Sequence, residues 1–446
     1  MLTRNAGVNR RDLLKSGAAL AGALCLPRWF VEETLAHAAA DEPQSPNDKP
    51  GILLVGCGGM GTGDAAAASK FGNIVAVCDV DAKRLGEKAA QFKAEGKYAD
   101  FREAIAHKGV DIVINATPDH WHTLVNIHAL RSGKDVYSEK PLTLTIDEGK
   151  RLVAVARETK RILQTGSQQR SSPRFRLACE LVRNGRIGKL ERIVTTLPTG
   201  LRGGPFSVQP VPADLDWNFW QGQTPQVDYL PERCHMTFRF WYEYSGGTLT
   251  DWGAHHNDIA QWGNGTERSG PVTIEGKILS EPVAGGYTTP SQYEVEYTYS
   301  NGVRHTCKTT PHEQFTGAPI GELKKTDERN GIRFEGTGGW IFVNRDKIEA
   351  SQPELIEQEL PASAERLPVS NNHMGNFFEC VKSRMAPICG PEIGHRSVSV
   401  CHLGVIALRT GRKLDWDPAK EEFVNDADAQ GYVAREMRKP WGYDAV

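Results

Sequence analysis

Three short runs hold residues whose types and spacing could do chemistry. Gly56-Cys57-Gly58-Gly59-Met60-Gly61 is a glycine turn of the spacing that lets backbone N–H groups approach phosphate oxygens. Downstream, Glu139-Lys140-Pro141 follows an apolar run, which sets an ammonium group at a strand end, where it can polarise an oxygen or, if desolvated, take part in proton transfer. The third run, Gly246-Gly247-Thr248-Leu249-Thr250-Asp251-Trp252-Gly253-Ala254-His255-His256-Asn257-Asp258, is the densest. On a helix, Asp251, His255 and Asp258 share one face and His256 points about 100° away. A carboxylate one turn from an imidazole can fix its tautomer and raise its basicity. That arrangement suits removal of a hydroxyl proton while hydride leaves the same carbon. The same residues also suit a helix start capped by Asp, with His packed on a sheet, and the pattern alone leaves both readings open.

The elements that must position these runs are legible around them. Gly51 to Val55 is a short apolar run of the kind found in buried parallel strands, the glycine turn follows at once, and Ala65 to Lys70 reads as a helix. Strand, turn, helix N-terminus is the order a pyrophosphate site requires. A second strand, Asn73 to Val77, ends in Cys78-Asp79, where an acid can bond both ribose hydroxyls and so favours NAD over NADP. Lys83 and Arg84 stand where a 2′-phosphate could be met. Further strands at Val110–Ala116, Val136–Ser138 and Ile162–Gln164 alternate with helices at Asp119–Ser132, N-capped by Asp119, and Thr145–Thr159, with Thr145 and Glu148 in capping-box spacing. The alternation predicts an α/β Rossmann fold, a doubly wound parallel sheet, over 41–168. Beyond Arg170 one helix, Pro173 to Asn184, gives way to strands at 190–197, 272–278, 293–299, 302–309, 332–335 and 340–343. Helical patterns return at 373–382 and 394–409. The expectation for 169–446 is an α+β domain with a large antiparallel sheet, serving substrate and oligomer contacts.

A chain of 446 residues is too long for one core, which agrees with two domains. With 24% charged residues and a net charge of −2, it carries no basic footprint for a nucleic acid. The N-terminus pairs Arg10-Arg11 with an apolar small-residue run, Gly17 to Leu26, and with cleavage-type triplets at Ala36-His37-Ala38 and Ala38-Ala39-Ala40. Residues 1–40 therefore read as a twin-arginine signal peptide for export to a bacterial periplasm, with no stable membrane insertion once it is cleaved. Leu24 before Cys25 argues against lipidation. Export of a folded chain suits a protein that encloses a nucleotide. The nine cysteines show neither Cys-x-x-Cys nor zinc spacing, so neither a metal nor a disulfide is assigned.

Aromatics crowd the third run: Trp217, Trp220, Phe238, Phe240, Trp241, Tyr242, Tyr244 and Trp252. Most belong in a core, and one or two can stack on sugar faces. His120 and His122 diverge on a helix, which disfavours a two-histidine metal site; one of them can wall a nicotinamide pocket. Arg239 could hold a carboxylate or phosphate, although an ion-paired or surface arginine is the commoner case.

Gly56 to Gly61, Thr117-Pro118, Glu139-Lys140-Pro141 and the Gly-Gly-x3-Asp251-x-Gly-x-His255-x2-Asp258 run together resemble the glucose–fructose oxidoreductase / inositol dehydrogenase / rhizopine-catabolism (Gfo/Idh/MocA) family, from about residue 51 to 440. Leu215-Asp216-Trp217-Asn218-Phe219-Trp220 and Arg412-Lys413-Leu414-Asp415-Trp416-Asp417 resemble its exported branch. The resemblance implies a Rossmann domain, a second domain covering the nicotinamide, and NAD(P)-linked oxidation or reduction at a sugar, cyclitol or glycoside hydroxyl carbon. It implies His255 as acid/base, Lys140 polarising the reacting oxygen, and Asp251 orienting His255 or a neighbouring hydroxyl. The cofactor site is assigned to Gly56, Gly58, Gly59, Met60, Gly61, Asp79, Thr117, Pro118, His122, Glu139, Lys140 and Gln168. His256 stands where inositol-type members often have aspartate. Outside the cytoplasm a tightly held NAD (or NADP) is expected, which also opens a redox-neutral glycosidase or lyase reading. A non-catalytic nucleotide-binding sensor is the remaining alternative. By analogy with the family, a homo-oligomer is expected.

Overall fold

The structure, a computed structural model, describes residues 26–38, 49–314 and 330–444. Six strands, β1 (Gly51–Val55), β2 (Asn73–Cys78), β3 (Gly96–Tyr98), β4 (Ile112–Asn115), β5 (Asp135–Ser138) and β6 (Leu163–Thr165), form a parallel sheet in the order β3-β2-β1-β4-β5-β6. Every residue of β1, β4 and β5 is buried, as expected of strands covered by helices on both faces. The order reverses between β1 and β4, which opens a crevice at the strands' C-terminal ends. Register places Val55 beside Cys78 and Asn115, and Asn115 beside Ser138. Gly56, Asp79, Thr117 and Lys140 therefore leave the sheet along one edge. The helix after the glycine turn runs Gly59–Ala68, earlier than the apolar pattern suggested, because glycines carry no periodicity signal. Asp119 is not the cap of its helix: Pro118 occupies that position, and the Asp119 carboxylate turns to the second domain instead. Thr145 does cap its helix, accepting the Glu148 N–H.

The second sheet has nine strands: β7 (Leu190–Thr199), β8 (Thr273–Ser280), β9 (Gln292–Thr298), β10 (Arg304–Gln314), β11 (Gly331–Gly336), β12 (Gly339–Val343), β13 (Ile348–Ala350), β14 (Leu414–Asp417) and β15 (Glu422–Phe423). Their order is β13-β12-β11-β7-β10-β9-β8-β14-β15. The sheet is mixed, since β7 and β10 pair in parallel while the other pairs are antiparallel. Helices Pro173–Arg183, Thr248–Asn264 and Pro391–Thr410 pack on it. In Thr248–Asn264 every residue except Trp252 and Asn264 is buried, so this helix lies between the sheet and the first domain.

The stretch read as the end of a leader is folded. Arg28–Ala38 is a helix, and Leu26, Phe30 and Val31 join the core of the second domain beside Phe175, Leu181, Trp262 and Phe334. The twin arginines and Ala39-Ala40 lie outside the described residues. Cys25 does too, and the eight described cysteines are buried and unpaired with one another. Among the described residues no helix is long and apolar enough to cross a membrane.

Candidate functional site

The crevice above β1 and β4 widens into a cleft of about 490 Å³ bounded by both domains. Its floor is the glycine turn. Gly56 has φ +92°, and a Cβ there would meet the Ala116 carbonyl oxygen at 2.5 Å. A Cβ on Gly61 would meet the Gly56 oxygen at 2.1 Å, so these two glycines hold helix and strand together. Gly58 and Gly59 differ: a Cβ on Gly59 meets nothing within 4 Å, and one on Gly58 only the Arg84 guanidinium at 3.6 Å. They leave the helix N-terminus open for a pyrophosphate, while Met60, half exposed, sits at the rim. Asp79 closes the adenosine side. Its Oδ2 accepts from Cys57 N–H at 2.7 Å and its Oδ1 from Asp81 N–H at 2.9 Å, which fixes the turn and leaves each oxygen a lone pair for a ribose hydroxyl. Burial pushes this carboxyl up, and the two N–H bonds pull it back. Donors, glycines and acid together fit a dinucleotide.

The floor continues through Thr117, Pro118 and His122 to Glu139 and Lys140. His122 lies between the carbonyls of Pro141 (2.7 Å) and Thr117 (2.9 Å), beyond the ends of β5 and β4; burial lowers its pKa, and the neutral ring donates to one of the two. Gln168 does not line the cleft. It donates to Glu139 Oε1 at 2.9 Å and to the Tyr137 hydroxyl at 3.2 Å, and supports Glu139 from behind. Burial raises the Glu139 pKa against the pull of Lys140 and Gln168.

Lys140 joins the two domains. Its Nζ donates to Asp251 Oδ1 at 2.6 Å, in a pair whose side chains are 9% and 7% exposed. Arg239 Nε donates to the same oxygen at 3.1 Å. Burial alone would raise the Asp251 carboxyl, but the two cations overcome it and hold the group down at about 2. The anticipated bond from Asp251 to His255 is absent: with two cations on its other side, the carboxylate turns to them. His255 lies one turn on, buried; like Asp251 it stands behind Lys140 and is not among the residues that line the cleft, and its Nδ1 has no hydrogen-bond partner among the described residues. Burial, then Lys140 and Arg345, hold its pKa well below the usual imidazole value, so the ring is neutral near pH 7. His256 is occupied elsewhere, its Nε2 2.7 Å from Asn330 Oδ1. Asp258 is removed from the site by a buried two-pronged pair with Arg170 at 2.7 and 2.8 Å.

Several residues of the cleft went unassigned in the sequence. Arg239, for which the sequence left an anion-holding and an ion-paired reading open, lines it as a half-buried, ion-paired group. Asp119 lines it too and accepts from Ser245 Oγ at 2.5 Å; burial pushes its carboxyl up to about 7, against Arg239. The run Thr117-Pro118-Asp119 was a local signal for it. Of the aromatics around the third run, Trp220 and Phe238 reach the cleft, beside Phe101, Trp121 and Phe219, while Trp217, Phe240, Trp241 and Tyr244 pack into an aromatic core. Trp252 carries the Arg345 guanidinium 4.7 Å above its ring. His235 and Met236 cover the adenosine end. Next to them the chain 214–216 is stitched to the first domain: Ala82 N–H donates to Asp214 O at 2.8 Å, Asp216 N–H donates to Val80 O at 3.1 Å, and Asp81 and Leu215 form an isolated bridge.

Comparison with known proteins agrees with this architecture. The scyllo-inositol 2-dehydrogenase (NAD(+)) of Bacillus subtilis (strain 168) is 26% identical over 318 residues, 71% of this chain and 80% of that protein. A glycosyl hydrolase family 109 protein of Shewanella pealeana is 28% identical over 204 residues, 41% of this chain and 44% of that one. The crystal structure of aldose-aldose oxidoreductase from Caulobacter crescentus, complexed with glycerol, superposes with a TM-score of 0.60 at 20% identity, covering 82% of this chain and 99% of the other. Residues 51–167 match the oxidoreductase family's NAD-binding Rossmann fold (GFO_IDH_MocA), and residues 203–443 match its C-terminal alpha/beta domain (GFO_IDH_MocA_C2). The chain thus belongs to the Gfo/Idh/MocA family of oxidoreductases, with NAD as its cofactor.

Proposed function

We propose that this enzyme transfers hydride between a hydroxyl-bearing carbon of a sugar, cyclitol or glycoside and NAD, with Lys140, His255 and Asp251 as the reacting set. The observation that carries the reading is the Lys140 ammonium, fixed by Asp251 at the end of β5 where the cleft meets the second domain. NAD supplies the hydride acceptor. Lys140 donates to the substrate oxygen and stabilises the charge that develops there. His255, one turn from Asp251 and within the field of Lys140, is the base assigned to the hydroxyl proton; it is neutral near pH 7, and its lowered pKa makes the proton's onward transfer easy. Asp251 positions Lys140 rather than His255. The inositol dehydrogenase relative supports a polyol substrate. Arg239 and Arg345 add two cations nearby, so sugar carboxylates belong in the substrate panel. The protein is further assigned to the periplasm by the Arg10-Arg11 leader and, by analogy with its family, to a homo-oligomer.

The test is purified protein with its own nucleotide, supplied with excess NAD and a panel of polyols, sugars, uronates and glycosides while the nicotinamide absorbance is followed. Multiple turnovers of NADH formation on one class support the reading, and no reduction with any class overturns it. The family 109 relative favours one second reading, redox-neutral glycoside cleavage on a retained cofactor. Released aglycone without net NADH would select that alternative.

A further inference from the structure

We infer that the stretch from Leu26 to Ala38 is a permanent part of the working enzyme: any export leader is severed N-terminal to Leu26, and the retained helix stays docked in the core of the second domain. The sequence places its small-residue cleavage triplets at Ala36-His37-Ala38 and Ala38-Ala39-Ala40. Cutting at either would discard the whole helix Arg28–Ala38.

The folded domain is built around that helix. Phe30 is fully buried and Val31 and Leu26 nearly so, in one cluster with Phe175, Ile259, Trp262 and Phe334. Arg176, 2% exposed, places its guanidinium 4.2 Å from the centre of the Phe30 ring and donates to Thr34 Oγ1 at 2.6 Å, while its other arm pairs with Glu180 at 2.8 Å. Without the helix, a buried cation would lose its aromatic lid and its hydroxyl acceptor and face solvent across an apolar hole, which is costly. Two outer contacts complete the dock. Trp29 Nε1 donates to Glu357 O at 3.1 Å, and Arg366 pairs with Glu33 at 3.2 Å. An A-x-A triplet in the last turn of a docked helix is a poor peptidase substrate, because cleavage needs extended backbone. Upstream, Ala21-Gly22-Ala23 offers the same small-residue spacing and leaves the helix whole. The cleavage position rests on the export reading; the docking does not.

Two measurements test the inference. Full-length protein is expressed in a host with twin-arginine export, and the intact mass of the recovered enzyme is determined. A mass retaining Arg28–Ala38, whether trimmed upstream or not trimmed at all, supports it, and an N-terminus between His37 and Asp41 overturns it. In the full-length chain, Phe30→Asp, with Phe30→Ala as the milder variant, is expected to lower Tm by roughly 5–10 °C and to leave NAD affinity unchanged. A Tm equal to that of the parent in both variants would show that the helix contributes nothing to the fold.

Discussion

Asp251 and Asp258 stand two turns apart on one helix, and each meets a cation contributed from the first domain or its edge. The two pairs nevertheless serve different ends. Asp258 is sealed: Arg170 takes both of its oxygens, Ser397 Oγ adds a third bond at 2.5 Å, and Trp262 lies 4.8 Å from the Arg170 guanidinium. Asp251 receives Lys140 and Arg239 on a single oxygen, and the Lys140 ammonium, with three donors, has capacity left for an oxygen in the cleft. Satisfaction separates a fastening from a working pair. Where both carboxylate oxygens are taken in a buried two-pronged pair the ions hold two elements together, and where a cation keeps a donor facing a cleft they can act on something else.

The comparison can be broken from either side. Lys140→Ala should have the largest effect, lowering kcat/KM by about 10³-fold or more in protein that stays folded, with a Tm loss limited by the second cation, Arg239, on Asp251; steady-state kinetics beside a thermal melt separates the two. Asp258→Asn should show the reverse, a stability loss of about 3–5 kcal/mol in denaturant titration with kcat per folded molecule unchanged. If Asp258→Asn instead abolished turnover in folded protein, the division between the pairs would fail. Asp251→Asn should cost roughly 10- to 100-fold in kcat by loosening Lys140. The folded pKa of Asp251 is depressed to about 2, so its contribution to stability is present above the ordinary carboxylate value of about 4 and is lost as pH falls through 2. Acid melts of parent and Asp251→Asn should therefore converge between pH 4 and 2. A smaller effect is expected at Asp119. Its carboxyl, raised to about 7, is largely protonated below that pH and ionised above it, so a kcat/KM inflection near pH 7 should vanish in Asp119→Asn. Asp79→Ala should raise the KM for NAD about tenfold and leave kcat nearly unchanged, which would confine that acid to the ribose.

What could be read in advance follows from how each wall is assembled. The floor of the cleft is contiguous: Gly56 to Gly61, Thr117-Pro118 and Glu139-Lys140 are each local runs at strand ends, and the parallel sheet aligns them. The opposite wall draws on Trp220, Phe238 and Arg239, whose approach to Lys140 depends on packing that no local pattern encodes. The same reason explains Asp251. Helical spacing placed it beside His255, but the choice of partner was made by two cations from elsewhere in the chain. Strands β3, β13 and β15 are two or three residues long and lack an alternating signal, and the parallel pairing of β7 with β10 is a long-range event between runs that read the same in either direction. The helix Arg28–Ala38 was hidden for another reason: the paired arginines, the apolar run Gly17–Leu26 and the alanine triplets at 36–40 carry the pattern of a leader, whatever the residues between them do.

The stitching of 214–216 onto Val80–Ala82 has a kinetic consequence. If a bound dinucleotide leaves past the adenosine end, which His235 and Met236 line, the backbone bridge fastened there must part along with the nucleotide's own contacts. Its residence time is then governed by how often that seam opens, and a change at Leu215 or Asp216, remote from any reacting atom, would shorten it without weakening a single hydrogen bond to the nucleotide.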